Sequence, residues 1–222
     1  MTRTLTVTGM ACAAWLAAAA PTLTPRLEAQ PLAAADTGQV LRLTVAPEGN
    51  EARYVVREQL VNLDLPNDAI GRTNAVTGQL VFDPSGAVVP AESKFTIDVT
   101  TLKSDKERRD GYLQRRTLET AQYPTVTLAP TAVRGMPWPL PTAGSFDFEL
   151  DGDVTIKDVT RSVRWQVSAT AAGGAFTGKA VTSFPFEAFN LTQPKVSVVL
   201  SVENEIRLEY DFHLVAEPAS GS

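Results

Sequence analysis

An all-β domain of antiparallel strands, each with one apolar face, is what this chain predicts, and three observations carry that reading. The dominant period is two: "EIRLEYDFHLV" sets Ile206, Leu208, Tyr210, Phe212 and Leu214 against Arg207, Glu209, Asp211 and His213. Successive side chains of a strand point to opposite faces, so such alternation suits a strand with one face in a core and one in water. Gly/Pro/Ser turns punctuate the alternating runs, as in "DPSGAV" after Phe82 and "AAGGAF" before Phe176. There is no internal repeat and no low-complexity linker, so one domain is expected. Eight or so half-apolar strands can close as a sandwich or as a barrel, and periodicity alone does not choose.

The first element is a leader. Arg3 precedes an apolar stretch from Leu5 to Ala20, followed by small residues and Pro21. That is the layout of a secretory signal peptide, and the run falls short of the ~20 apolar residues needed to span a bilayer. Cleavage is expected after Ala29 or Ala35, giving a signal at 1–29, a domain at 36–217 and a periplasmic or secreted product. The only cysteine, Cys12, lies in the leader. A lipid-modified cysteine is disfavoured, because "TGMA" before it lacks the usual aliphatic residue three positions upstream. The mature protein therefore has no internal disulfide and relies on its core, which a chain of this length can bury. Net charge is −5 for the whole chain, and losing Arg3, Arg26 and Glu28 makes it slightly more acidic. That balance suits no nucleic-acid partner.

Strands are expected at Arg53–Val61, Ala75–Phe82, and from Phe95 through "KFTIDVTTL", where Phe95, Ile97 and Val99 share a face. Further strands are expected at Thr125–Pro130, in "SFDFELDGDVTI" (Phe146, Phe148, Leu150 on one face), in "VRWQV" (Val163, Trp165, Val167), at Phe176–Phe184, and in the terminal run. "RGMPWPLPTAGS" carries three prolines at alternate positions, which cannot join a central ladder, and reads as a rim loop. "FPFEAFNLTQPK" breaks the alternation between Pro185 and Pro194 and suggests a short helical turn.

"DKERRDGYLQRR" (Asp105 to Arg116) sits in a link of about twenty residues, too long for a hairpin, so it is expected to hold a short helix. Ser104 and Glu107 fit an N-cap with its capping-box partner, and Tyr112, Leu113 and Leu118 are expected to pack on the rim. The basic residues Lys106, Arg108, Arg109, Arg115 and Arg116 are largely balanced by Asp105, Glu107, Asp110 and Glu119. A solvated helix is the plain reading. The functional alternative is a headgroup-binding rim of Arg108, Arg109, Arg115 and Arg116.

Catalytic machinery is not visible. His213 is the only histidine and lies on the polar side of its strand, so no imidazole is available for a Ser-His-Asp or Cys-His arrangement. The same count disfavours a Cys/His metal site, and neither "GAFTGK" nor "AAGG" has a phosphate-loop pattern. No catalytic residue, metal or cofactor is expected.

Several stretches in order resemble the YceI-like family of exported lipid-binding proteins: "GQLVFD", "FTIDVTTLKSD", "RRDGYL", "YPTVTL", "LDGDVTIKDVTRSVRWQV" and "VENEIRLEYDFHLV". The resemblance implies an extended eight-stranded antiparallel barrel, lipocalin-like, with an elongated apolar cavity for an isoprenoid or similar long-chain amphiphile. It tips the choice from sandwich to barrel. The chain departs from the family turn Thr-Ile-His-Gly-Val-Thr in reading "TIKDVT", with Lys157 and Asp158, and lacks the His–Leu–Gly-type element after the first strand. Both departures bear on headgroup preference.

The expected function is thus an exported carrier or sequestering protein for a polyisoprenoid, quinone or similar lipid. Phe95, Ile97, Phe148, Trp165, Leu208, Tyr210 and Phe212 are expected to line its cavity, in an interior without buried charge. For each of these residues simple core packing is the competing reading. Two other functions compete: an enzyme acting on a small apolar substrate in the same cavity, and a packed-core interaction module. Transient membrane contact and homodimer formation are left open as further associations.

Overall fold

Residues 40–61 and 64–217 are described by a computed structural model, and the expected leader lies outside them. Eleven strands among these residues form one antiparallel sheet closed on itself. In chain order they are β1 (Leu41–Val45), β2 (Glu51–Leu60), β3 (Asn67–Thr73), β4 (Val76–Phe82), β5 (Lys94–Asp98) and β6 (Thr125–Arg134). They continue as β7 (Ala143–Ile156), β8 (Val159–Ala172), β9 (Ala175–Phe184), β10 (Val199–Val202) and β11 (Ile206–Ala216).

Three pairs of these are single bent strands in effect. β1 runs into β2, β3 into β4, and β10 into β11, each across a short irregularity, which leaves eight staves around the ring. β1 closes it, pairing with β4 on one side (Leu43 opposite Leu80) and β11 on the other (Leu43 opposite Ala216). The structure is a closed eight-stranded antiparallel barrel, as the resemblance implied.

The bend between β1 and β2 has an identifiable cause. Asn50 is 4% exposed. Its Nδ2 donates to the Ala46 carbonyl at 2.8 Å, while its Oδ1 accepts from the Tyr210 hydroxyl at 2.7 Å and the His213 amide at 3.0 Å. One side chain thereby satisfies backbone groups that the bend would otherwise orphan. At the β8–β9 hairpin, Gly173 and Gly174 both take positive φ (+58° and +85°), the turn geometry that matches strand twist and that glycine adopts without cost.

The two ends are closed differently. At one, the proline-rich link 135–142 turns back over the barrel: Trp138 packs on Phe82 (ring centroids 5.6 Å apart) and donates from Nε1 to the Pro84 carbonyl at 3.2 Å. At the other end lies helix α1 (Glu107–Tyr112), continued by a wider turn at Leu113–Thr117. Beside it are the 3₁₀ turn Phe186–Phe189, between the expected prolines, and the segment leading to β10.

Three strands escape the sequence reading: β1, β3 and β10. β3 points small or polar side chains inward (Asn67, Ala69, Gly71, Thr73), and β10 is four residues long with Leu200 exposed, so neither shows apolar alternation. The expected cap at Ser104 is also corrected. Helix α1 starts later, with Lys106 at the N-cap position and no side-chain cap bond. Ser104 instead gives its backbone N–H (2.9 Å) and its hydroxyl proton (2.6 Å) to the buried Asp110 carboxylate, while its Oγ accepts from the Lys106 N–H at 3.2 Å, ahead of the first helical turn.

Candidate ligand cavity

The inward faces of the eight staves enclose a cavity of about 800 Å³, within the range of small-molecule pockets. All seven residues expected to line it do so: Phe95, Ile97, Phe148, Trp165, Leu208, Tyr210 and Phe212. Each sits on the apolar parity of its strand, and aromatic contacts link them: Phe95 with Tyr210, and Tyr210 with Phe212, both at 6.1 Å between centroids. Met136 and Leu140 of the proline-rich link close one end of the same wall. Burial pushes the Tyr210 hydroxyl up, so it stays a neutral donor to Asn50.

At the α1 end the wall changes character. Tyr112, Leu113 and Leu118 face the cavity here, rather than only packing on the rim. Glu58 (8% exposed) and Arg109 also line it, correcting the expectation of an interior without buried charge. Glu58 shares its inward parity with Tyr54, Val56 and Leu60, all of which line the cavity, so its place was readable from β2. Arg109 reaches across from α1 and donates to Glu58 at 2.6 Å and to Asp105 at 2.5 Å. Burial works against the guanidinium, but these two carboxylates outweigh it and hold its pKa above the usual value.

Two neutral polar groups border the same region. Tyr54 lies over Gly71, its opposite number on β3, so closely that a Cβ on Gly71 would stand 2.2 Å from the ring. Asn67 is paired in register with Glu58. Tyr54 Oη and Asn67 Oδ1, together with Trp165 Nε1 on β8, are buried and find no hydrogen-bond partner in the protein. Burial, reinforced by Asp110, Glu58 and Asp105 and opposed by Arg109, pushes the Tyr54 hydroxyl up to about 12. It is a neutral O–H at any ordinary pH.

The four arginines of the expected rim separate. Arg108 and Arg109 line the cavity mouth, whereas Arg115 and Arg116 are exposed and lie off it. Lys157, at the turn where the chain departs from the family pattern, adopts φ +58°. It pairs with Glu119 and stands over the Tyr123 ring at 5.9 Å, pinning the β7–β8 hairpin to the segment after α1. His213 lies outside the cavity wall, its Nδ1 3.0 Å from the Glu48 carbonyl oxygen. Among the described residues no group of three or more His, Cys, Asp or Glu side chains is placed to hold a metal ion.

Known structures share this architecture. BcnA of Burkholderia cenocepacia superposes with a TM-score of 0.56 at 21% identity, over 78% of this chain and 99% of that one. A polyisoprenoid-binding domain from Saccharophagus degradans, implicated in plant cell wall breakdown, gives 0.58 at 10% identity, over 81% and 100%. The YceI protein of Campylobacter jejuni gives 0.53 at 15% identity, over 72% and 91%. No curated protein matches the sequence. At these identities the likenesses show the fold, while the sequence pattern of the YceI-like domain matches residues 44–214, nearly the whole barrel. The chain belongs to the YceI-like family.

Proposed function

We propose that this protein binds one long-chain lipid, a polyisoprenoid or similar amphiphile, inside the barrel and carries or sequesters it after export. The observation that carries the reading is the cavity itself: about 800 Å³ of space walled by aromatic and aliphatic side chains from every stave. Each methylene removed from water there contributes about 0.8 kcal/mol, so a chain of a dozen carbons offsets the cost of ordering it. The polyisoprenoid-binding domain with the same fold supports that ligand class. Exchange with a bilayer is supported at the α1 end, where Val61, Leu65, Val196, Val198 and Leu200 are exposed around the mouth. Binding is favoured over catalysis because, among the described residues, the cavity wall is mainly aromatic and aliphatic and holds no histidine or cysteine.

The test is to isolate the protein from cells without detergent, extract it with organic solvent, and weigh both fractions by mass spectrometry. About one lipid per barrel is expected, as for a cavity of this strand number. The protein fraction should have lost its first 29 to 35 residues. Empty extracts from several hosts, with no uptake of added polyprenyl lipid or quinone, would overturn the carrier reading. A mass that retains Met1 would overturn the export reading.

A further inference from the structure

The cavity mouth distinguishes between kinds of lipid head. A phosphorylated head needs free cations, and the mouth has compensated most of its own. Arg109 is engaged by Glu58 and Asp105, and Lys106 lies 3.5 Å from Asp105. Among the cavity-lining residues at this end only Arg108 carries a cation with no ion pair, and it is exposed to solvent. The Glu58 carboxylate is itself buried in the wall, where it would face an entering phosphate at low dielectric and repel it.

Beside this neutralised pair stand two groups of the opposite kind. Tyr54 Oη and Asn67 Oδ1 are buried, uncharged and without a protein partner, on neighbouring strands, with Asn67 in register with Glu58. A buried polar atom left unpaired is costly, so a ligand that supplies the missing bond is selected over one that cannot. Asn67 Oδ1 can only accept, and Tyr54 Oη can donate or accept. A hydroxyl, which does both, can pair with either of them.

Resting on the carrier reading above, we infer that the mouth between β2, β3 and α1 selects an uncharged, hydroxyl-bearing lipid head and discriminates against a phosphorylated one. Tyr54 and Asn67 are the selecting residues. Glu58 acts as the built-in counter-anion of Arg109, holding the place that a phosphate would otherwise take.

The experiment compares three probes of one chain length by titration calorimetry: a prenyl alcohol such as geranylgeraniol, its pyrophosphate, and the matching hydrocarbon. The alcohol should bind tightest, about tenfold above the pyrophosphate, since one satisfied hydrogen bond and one avoided like-charge contact separate them. Tyr54→Phe and Asn67→Ala should each weaken the alcohol about fivefold and leave the hydrocarbon unchanged. Glu58→Gln should raise affinity for the pyrophosphate selectively, and if that variant folds poorly the other two still decide. Pyrophosphate binding tighter than the alcohol, or equal binding of all three probes, would sink the head-selection inference and leave the carrier reading intact. Binding of none would sink both.

Discussion

Asn50 shows how one side chain can fix the path of a strand. Its amide reaches the Ala46 carbonyl, the His213 amide and the Tyr210 hydroxyl at once, in a position almost sealed from water. Asn50→Ala should therefore leave two part-buried donors unpaired and lower stability by about 2–6 kcal/mol, since each unpaired group costs roughly 1–3. Chemical denaturation of the variant measures this, and an unchanged midpoint would mean that water replaces the amide. Individual residues are legible in the sequence where parity alone places them: strict alternation puts Phe95, Trp165 and Tyr210 on the inward face. Glu58 obeys the same parity within the expected strand Arg53–Val61, but parity does not say what compensates a carboxylate there. Its partner, Arg109, lies 51 residues away and meets it only in the fold. Tyr54 and Asn67 were invisible for a similar reason, because lacking a hydrogen-bond partner is a property of three-dimensional surroundings.

On the outer faces, neighbouring strands are laced by charge. Arg53 on β2 donates to Glu209 at 2.8 Å and Asp211 at 2.6 Å on β11, and Lys179 on β9 reaches Glu209 at 3.3 Å. Partial burial would raise the Glu209 carboxyl, but hydrogen bonds from Arg53, Lys179 and Arg207 prevail and hold it down to about 2. A carboxyl depressed by folding contributes stability above its unfolded value near 4.5, and that contribution disappears as pH falls from there toward 2. Solvent screening limits it to about 1 kcal/mol or less. Glu209→Gln should flatten this part of the stability–pH curve, as followed by urea unfolding at stepped pH; an unchanged slope would assign the acid sensitivity to other carboxyls. Of the elements with this two-faced character, β7, β9 and β11 were legible almost to their ends, whereas of β8 only Val163–Val167 was. β3 was not, because its inward positions are filled by the small residues Ala69, Gly71 and Thr73, with Tyr54 lying over Gly71. The helix in the β5–β6 link was legible from loop length, and its start was not, because Ser104 is held by Asp110 and Lys106 two residues ahead of the N-cap position.

The choice between barrel and sandwich belongs to the whole molecule. Both bury one face of every strand, so period-two patterning is the same in each, and it is the pairing of the β1–β2 stave with β11 that closes the ring. A closed ring around about 800 Å³ also leaves stability in reserve, since the lining residues gain contacts when the space fills. Ligand at a hundred times its Kd should add about 2.7 kcal/mol, raising Tm by roughly 5–10 °C for a domain of this size. Scanning calorimetry of delipidated protein with and without a prenyl alcohol measures the shift. No shift at saturation would show that the ligand binds the unfolded chain as well, or not at all.

Ring closure through β1 has a consequence for how the molecule comes into being. The first strand of the barrel cannot complete its hydrogen bonds until the last has arrived, because β11 supplies one of its two edges. While the chain is being made, its apolar inner faces stay unprotected until β11 has followed. Such dominance of distant pairings makes folding slow compared with helical bundles of equal length. Partly emerged chains are therefore natural clients for holding chaperones, and a chain cut short before β11 is an open, sticky sheet instead of a smaller barrel.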